Sequence, residues 1–159
     1  MTYVVEALAA HHDLEDFASE ASELNLWLTS SARQSNDRDT ARVYVICNAN
    51  ARVIAYSALV VGTISRETLR SRAASGLPQH VPAILLAKLA VDRSYLSSGL
   101  GTQLLSHAIR ISLEVKERVA VRLLFAEARD QVAHDWYVSR GMSSAKDGRT
   151  CYARLKDFA

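Results

Sequence analysis

The segment running Leu89, Ala90, Val91, Asp92, Arg93, Ser94, Tyr95, Leu96, Ser97, Ser98, Gly99, Leu100, Gly101, Thr102, Gln103, Leu104, Leu105 has the spacing of an anion-binding turn. An apolar strand gives way to a short polar loop and then to small residues that open a helix. Small side chains at 97–99 and at 101 let the N–H groups of a helix start converge on a phosphate, where unpaired donors and the helix dipole both favour negative charge. The same glycines also allow a tight turn that binds nothing. A nucleotide P-loop needs Lys and then Ser or Thr after its last Gly, and Thr102 with Gln103 supplies no Lys. A dinucleotide fingerprint needs Gly or Ala where Leu104 stands, although Glu127 falls where a ribose-binding acid would.

Other reactive side chains are sparse. The segment from Asp135 to Met142 holds Trp136, Tyr137 and Gly141 at the end of an expected helix; from spacing alone Tyr137 reads as amphipathic packing beside Trp136. Glu127 and Asp130 at a strand end are acids suited to capping or to proton transfer. His11, His12, His80, His107 and His134 form no His-x3-His pair near a Cys or Glu, so no metal is expected. Cys47 and Cys151 stand alone and read as reduced thiols of a cytoplasmic protein. Arg33, Arg38, Arg42, Arg66, Arg70, Arg72, Lys88 and Arg93 would track a phosphate backbone if they shared a face, and otherwise only solubilise the chain.

The elements that must position these groups follow from periodicity. Residues 2–8, 42–47 and 52–65 read as strands, the last two joined by a turn at Asn48–Asn50 into a hairpin. Apolar residues at Leu14, Phe17, Ala21, Leu24, Leu28 and Ala32 predict a helix over 14–33. Residues 66–82 lack a period and read as a loop or short helix. Beyond them come a nearly continuous apolar strand at 83–91, a helix from Thr102, a strand at 121–128, a helix over 131–140 stopped by Gly141, and a closing strand at 150–155. An antiparallel hairpin followed by a βαβ unit predicts a mixed α/β sheet with helices on both faces.

At 159 residues, with 49% hydrophobic and 23% charged side chains, the chain is expected to be one globular domain, 1–159, without disordered tails. No apolar run approaches the roughly 18 residues of a membrane span, and no positive segment precedes an apolar stretch at the N-terminus, so neither a membrane nor a secretory route is expected. The net charge of +2 hides an asymmetry: residues 1–30 carry six acids and no base, whereas residues 31–72 carry seven Arg against three acids. A basic body permits an anionic partner.

The glycine turn together with the helix ending at Tyr137–Gly141–Met142 resembles the GCN5-related N-acetyltransferase (GNAT) family. The stretches Leu26-Trp27-Leu28, Arg42–Val45 and Leu86–Asp92 ("LAKLAVD") narrow the resemblance to its acetyltransferase toxins of toxin–antitoxin pairs, and the match covers nearly the whole chain. The resemblance implies a mixed, mostly antiparallel sheet with a V-shaped splay between two central parallel strands, and acetyl-coenzyme A as co-substrate. Leu89 and Val91 would offer backbone to the pantetheine, a backbone N–H near Leu89 would face the oxyanion, and Leu96, Ser97, Ser98, Gly99, Leu100, Gly101 and Thr102 would wrap the pyrophosphate. Leu96 stands where the family usually has Gln or Arg, Met142 replaces the commoner Phe, and Ala18-Ser19-Glu20 replace a frequent Asp-Cys-Gly. The implied acceptor is the α-amine of aminoacyl-tRNA, met by Arg33, Arg38, Arg70, Arg72, Lys88 and Arg93, with translation blocked as the result. Tyr137 would be the general acid. A small DNA-binding antitoxin of ribbon-helix-helix type is the implied partner, and a homodimer is compatible. The alternatives are an acetyltransferase for a small amine or a protein N-terminus, or a catalytically silent module that binds the coenzyme.

Overall fold

The computed structural model describes residues 2–159. Seven strands form one sheet in the order β1-β2-β3-β4-β5-β7-β6, where β1 is Glu6–Ala7, β2 Arg42–Cys47, β3 Val53–Ser65, β4 His80–Val91, β5 Leu123–Glu127, β6 Ser143–Ser144 and β7 Thr150–Arg154. The pairs β1·β2, β2·β3, β5·β7 and β6·β7 are antiparallel, and β4·β5 is parallel. The helices are α1 Ser22–Ser30, α2 Ala32–Asp37, α3 Ser71–Ala74, α4 Leu100–Lys116 and α5 Gln131–Ser139. The mixed, mostly antiparallel sheet expected from the sequence is thus present. Its parallel register runs from Ala83–Leu123 to Leu85–Phe125, while β4 itself continues to Val91.

The chain groups into two compact units: one reaches to Val60 and takes in Ala87–His107, the other comprises Val61–Leu86 and Ala108–Ala159. In the first, strand alternation sorts side chains to two faces. Val43, Val45, Tyr56, Ala58 and Ala90 pack with Leu28 of α1 and Ala32 of α2, while Ile46, Ile54, Leu89 and Val91 pack with Leu100 and Leu104 of α4. Helices therefore cover both faces of this part of the sheet. In the second unit Val81, Ala83, Leu123, Phe125 and Tyr152 form a core with Leu69 and Ala73.

The helix expected over 14–33 begins only at Ser22. Asp16 takes a positive φ of 63°, which ends any helical run there. Leu14, Phe17 and Ala21 are nonetheless buried, as their spacing required, but a loop rather than a helix buries them. β4 starts earlier than expected, at His80, and β6 has only two residues, too few to leave a periodic trace.

α1 is fixed to the sheet from below by Tyr56, which is fully buried and whose hydroxyl donates to the Leu24 carbonyl at 2.6 Å. Tyr56→Phe should leave that carbonyl without its donor and cost about 1–3 kcal/mol, read as a lower urea midpoint at unchanged slope.

Candidate active site

β4 ends at Val91, and the next residue organises everything that follows. Asp92 is 2% exposed. One carboxylate oxygen accepts from the Ser94 amide at 2.9 Å, and the other accepts from the Ala18 amide at 3.1 Å and the Arg52 guanidinium at 3.3 Å. The Asp92 amide donates to the Ile54 carbonyl at 2.8 Å, and the Arg93 amide to the Ala18 carbonyl at 2.8 Å. Burial alone would raise the pKa of Asp92, but the Ser94 and Ala18 amides and the Arg52 charge outweigh it and hold the carboxyl below its ordinary value. The strand end, the 3-10 turn Arg93–Tyr95 and the segment around Ala18 are thereby tied together.

From that anchor the chain turns through Ser97 at φ 63° and Gly99 at φ 85° into α4, whose hydrogen-bond ladder begins with the Gln103 amide donating to the Gly99 carbonyl at 3.0 Å. Leu100 is buried and pins the helix start to the core, whereas Ser97, Ser98 and Gly99 are exposed. A Cβ on Gly99 would meet nothing within 4 Å, so it is backbone conformation rather than packing that requires glycine there. The amides opening a helix have no acceptor within it, and those of α4 lie behind exposed, small-residue backbone. Backbone donors at a helix start suit an anion. Leu96 is 48% exposed and its side chain has no polar atom.

Tyr137 lies in the other unit, on α5. Asp130 caps this helix by accepting from the Ala133 amide at 2.8 Å, and Gly141 at φ 98° ends it. Tyr137 is 8% exposed, and its ring meets Trp136 edge-on at 5.2 Å. Burial, with a smaller contribution from Cys151, pushes its phenol up from an ordinary value already well above neutral pH. The ring packs beside Trp136, as its spacing alone predicts.

The expected phosphate-contacting residues divide. Arg33 is drawn into the fold, donating to the Ala9 carbonyl at 3.0 Å and the His12 carbonyl at 2.5 Å. Arg93 reaches the Ala18 and Ser19 carbonyls at 3.4 and 3.3 Å, and Arg70 the Ser144 carbonyl at 3.0 Å. Arg38 and Arg72 are exposed, and Lys88 is half-buried over the Trp27 ring at 5.4 Å. Arg33, Arg38, Lys88 and Arg93 belong to the first unit and Arg70 and Arg72 to the second.

Among the described residues, Glu6, His11 and His12 come close enough to suggest a metal site. The bonding of His12 argues otherwise: its Nδ1 accepts from the Ala9 amide at 2.9 Å, so its Nε2 carries the proton facing Glu6 at 2.8 Å and has no lone pair for an ion.

Residues 8–142 match the profile of the acetyltransferase (GNAT) family. The chain belongs to the GNAT family. It is an acetyltransferase whose co-substrate is acetyl-coenzyme A. It is 30% identical over 126 residues to a tRNA-acetylating toxin of Mycobacterium tuberculosis (strain ATCC 25618 / H37Rv), covering 79% of this chain and 75% of that one. Its fold superposes on AtaT complexed with acetyl-methionyl-tRNAfMet with a TM-score of 0.92 at 26% identity, over 99% of this chain and 97% of the other. A Tyr-to-Phe variant of the AtaT toxin, bound to the C-terminus of the antitoxin AtaR and acetyl-CoA, matches with a TM-score of 0.82 at 25% identity, over 99% and 96% of the two chains. Among the described residues no helix is long and apolar enough to cross a membrane.

For this GNAT site the Asp92 anchor makes a pH-dependent contribution. Its folded pKa lies below the unfolded value of about 3.9, so its stabilisation is complete above that value and is lost as pH falls through the folded pKa. Asp92→Asn should be less stable than the wild type by about 3 kcal/mol at neutral pH. Chemical denaturation at a series of pH values should show the difference shrinking below about pH 4.

Proposed function

We propose that this chain acetylates the α-amine of an aminoacyl-tRNA and so blocks translation, acting in the cytoplasm as the toxin of a pair whose partner is a small ribbon-helix-helix DNA-binding antitoxin. The observation that carries this reading is the 30% identity to a tRNA-acetylating toxin over most of both chains. The full-length fold match to AtaT in complex with an acetylated aminoacyl-tRNA, and to AtaT with AtaR, supports it. Residues 1–159 then serve as one acetyltransferase domain.

Acetyl-coenzyme A, when bound, supplies the acetyl group as a thioester. The chain's part begins with the turn Leu96, Ser97, Ser98, Gly99, Leu100, Gly101 and Thr102, whose backbone receives the pyrophosphate, and with Leu89 and Val91, whose backbone pairs with the pantetheine by strand addition. A backbone N–H at Leu89 donates to the carbonyl oxygen as it gains charge. Tyr137, a phenol protonated at neutral pH and buried in the fold, is the general acid that holds a proton for the departing sulfur. No side-chain base is required, because an α-amine with a reference pKa of about 7.7 to 8.0 already has a neutral fraction at neutral pH.

Tyr137→Phe should keep coenzyme affinity and lose about 10²- to 10⁴-fold in turnover, measured as thiol release with charged tRNA. Radiolabelled acetyl-coenzyme A offered with charged tRNAs, uncharged tRNAs and polyamines should label only charged species. Label on uncharged tRNA, or on polyamines alone, would contradict the reading.

A further inference from the structure

Between Val81 and Val91, β4 carries one polar side chain, Lys88. It is half-buried, yet among the described residues its ammonium makes no hydrogen bond or ion pair, and its one recorded partner is the Trp27 ring at 5.4 Å. That ring is held in place from beneath: Trp27 stacks on Tyr56 with centroids 6.0 Å apart and planes 10° from parallel, Tyr56 meets Phe17 edge-on at 5.5 Å, and the Tyr56 hydroxyl is tied to Leu24. A cation lying on a fixed aromatic face is positioned without being neutralised, because the ring quadrupole attracts it but carries no net charge. Packing does not explain a lysine here, since Ala90 on the same side of the strand and the rest of that core are served by apolar side chains.

Alternation along β4 places Lys88 on the side of α1, and Leu89 on the side of α4. Lys88 thus directly precedes the residue whose backbone N–H is assigned to the reacting carbonyl. An amine attacking that carbon must come within about 3–3.5 Å of it, which brings the remainder of the acceptor beside Lys88. In an aminoacyl-tRNA the anion nearest the α-amine is the phosphodiester on the 5′ side of the terminal nucleoside. A polyamine offers no anion there.

Resting on the acceptor proposed above, we propose that Lys88 is the specificity residue of the acceptor site, its ammonium pairing with the terminal phosphodiester of the charged tRNA. Trp27 orients it toward that charge.

The test is steady-state acetylation of charged tRNA across a salt series by wild type, Lys88→Gln and Lys88→Arg, with calorimetric acetyl-coenzyme A affinity measured on each. Lys88→Gln should lose about 10- to 100-fold in kcat/KM at low salt, and its slope of log kcat/KM against log salt should be shallower by about 0.7, the share of one single-strand phosphate contact. Coenzyme affinity should stay at the wild-type value in both variants, and Lys88→Arg should restore the slope. A Lys88→Gln slope equal to that of the wild type, or a Lys88→Arg variant as impaired as Lys88→Gln, would overturn the assignment while leaving the acceptor intact. A wild-type protein that labels no charged tRNA would overturn both.

Discussion

A carboxylate removed from water is tolerated only when its lone pairs are met, and Asp92 meets this requirement with two amides and a guanidinium drawn from three separate stretches of chain. Because Arg52 also donates to the Asp16 carbonyl at 2.9 Å, the same charge fixes the loop in which Asp16 and Ala18 lie. The 3-10 turn Arg93–Tyr95 begins one residue later and leads into the glycine turn. Its left-handed residues Ser97 and Gly99 adopt conformations costly for most side chains, and such geometry persists when the flanking structure over-determines it. Asp92 on one side and buried Leu100 on the other provide that constraint.

The two halves of the chemistry rest on different physics. In the proposed reading coenzyme recognition depends on backbone donors, and Leu96 can then stand where a hydrogen-bonding side chain is usual, because the amides of the turn do not depend on it. The proposed proton donor, Tyr137, needs no special environment to be neutral at physiological pH, since a phenol has a reference pKa of about 10, and burial moves it further up. The acceptor side contributes a third element, a cation in a strand of apolar neighbours. Its charge is held by an aromatic face instead of an acid, and remains available to an anion.

The local elements that carry the candidate site are legible in the sequence. Glycine spacing after an apolar strand, and a helix stopped by Gly141, are written in consecutive residues, and the structure places α4 and α5 accordingly. The region before α1 reads as helix in the sequence because Leu14, Phe17 and Ala21 are buried at helical spacing, although Asp16 turns the chain there. The roles of Arg33, Arg52 and Asp92 were hidden for another reason. Their partners lie 21, 40 and 74 residues away, and no periodicity reports such pairings. The Trp27–Lys88 contact likewise spans a helix and a strand whose separation in sequence conceals it.

Asp92 sets the turn proposed to receive the coenzyme, and calorimetric titration of acetyl-coenzyme A into folded Asp92→Asn protein at neutral pH tests this most directly. An asparagine can accept from one of the two amides but must turn its own N–H₂ group toward the other, so the turn loses its anchor without any change in the residues that meet the phosphates. Affinity should fall by about tenfold or more, equivalent to about 1.4 kcal/mol, while circular dichroism remains that of the wild type. Wild-type affinity in a folded Asp92→Asn protein would contradict the account.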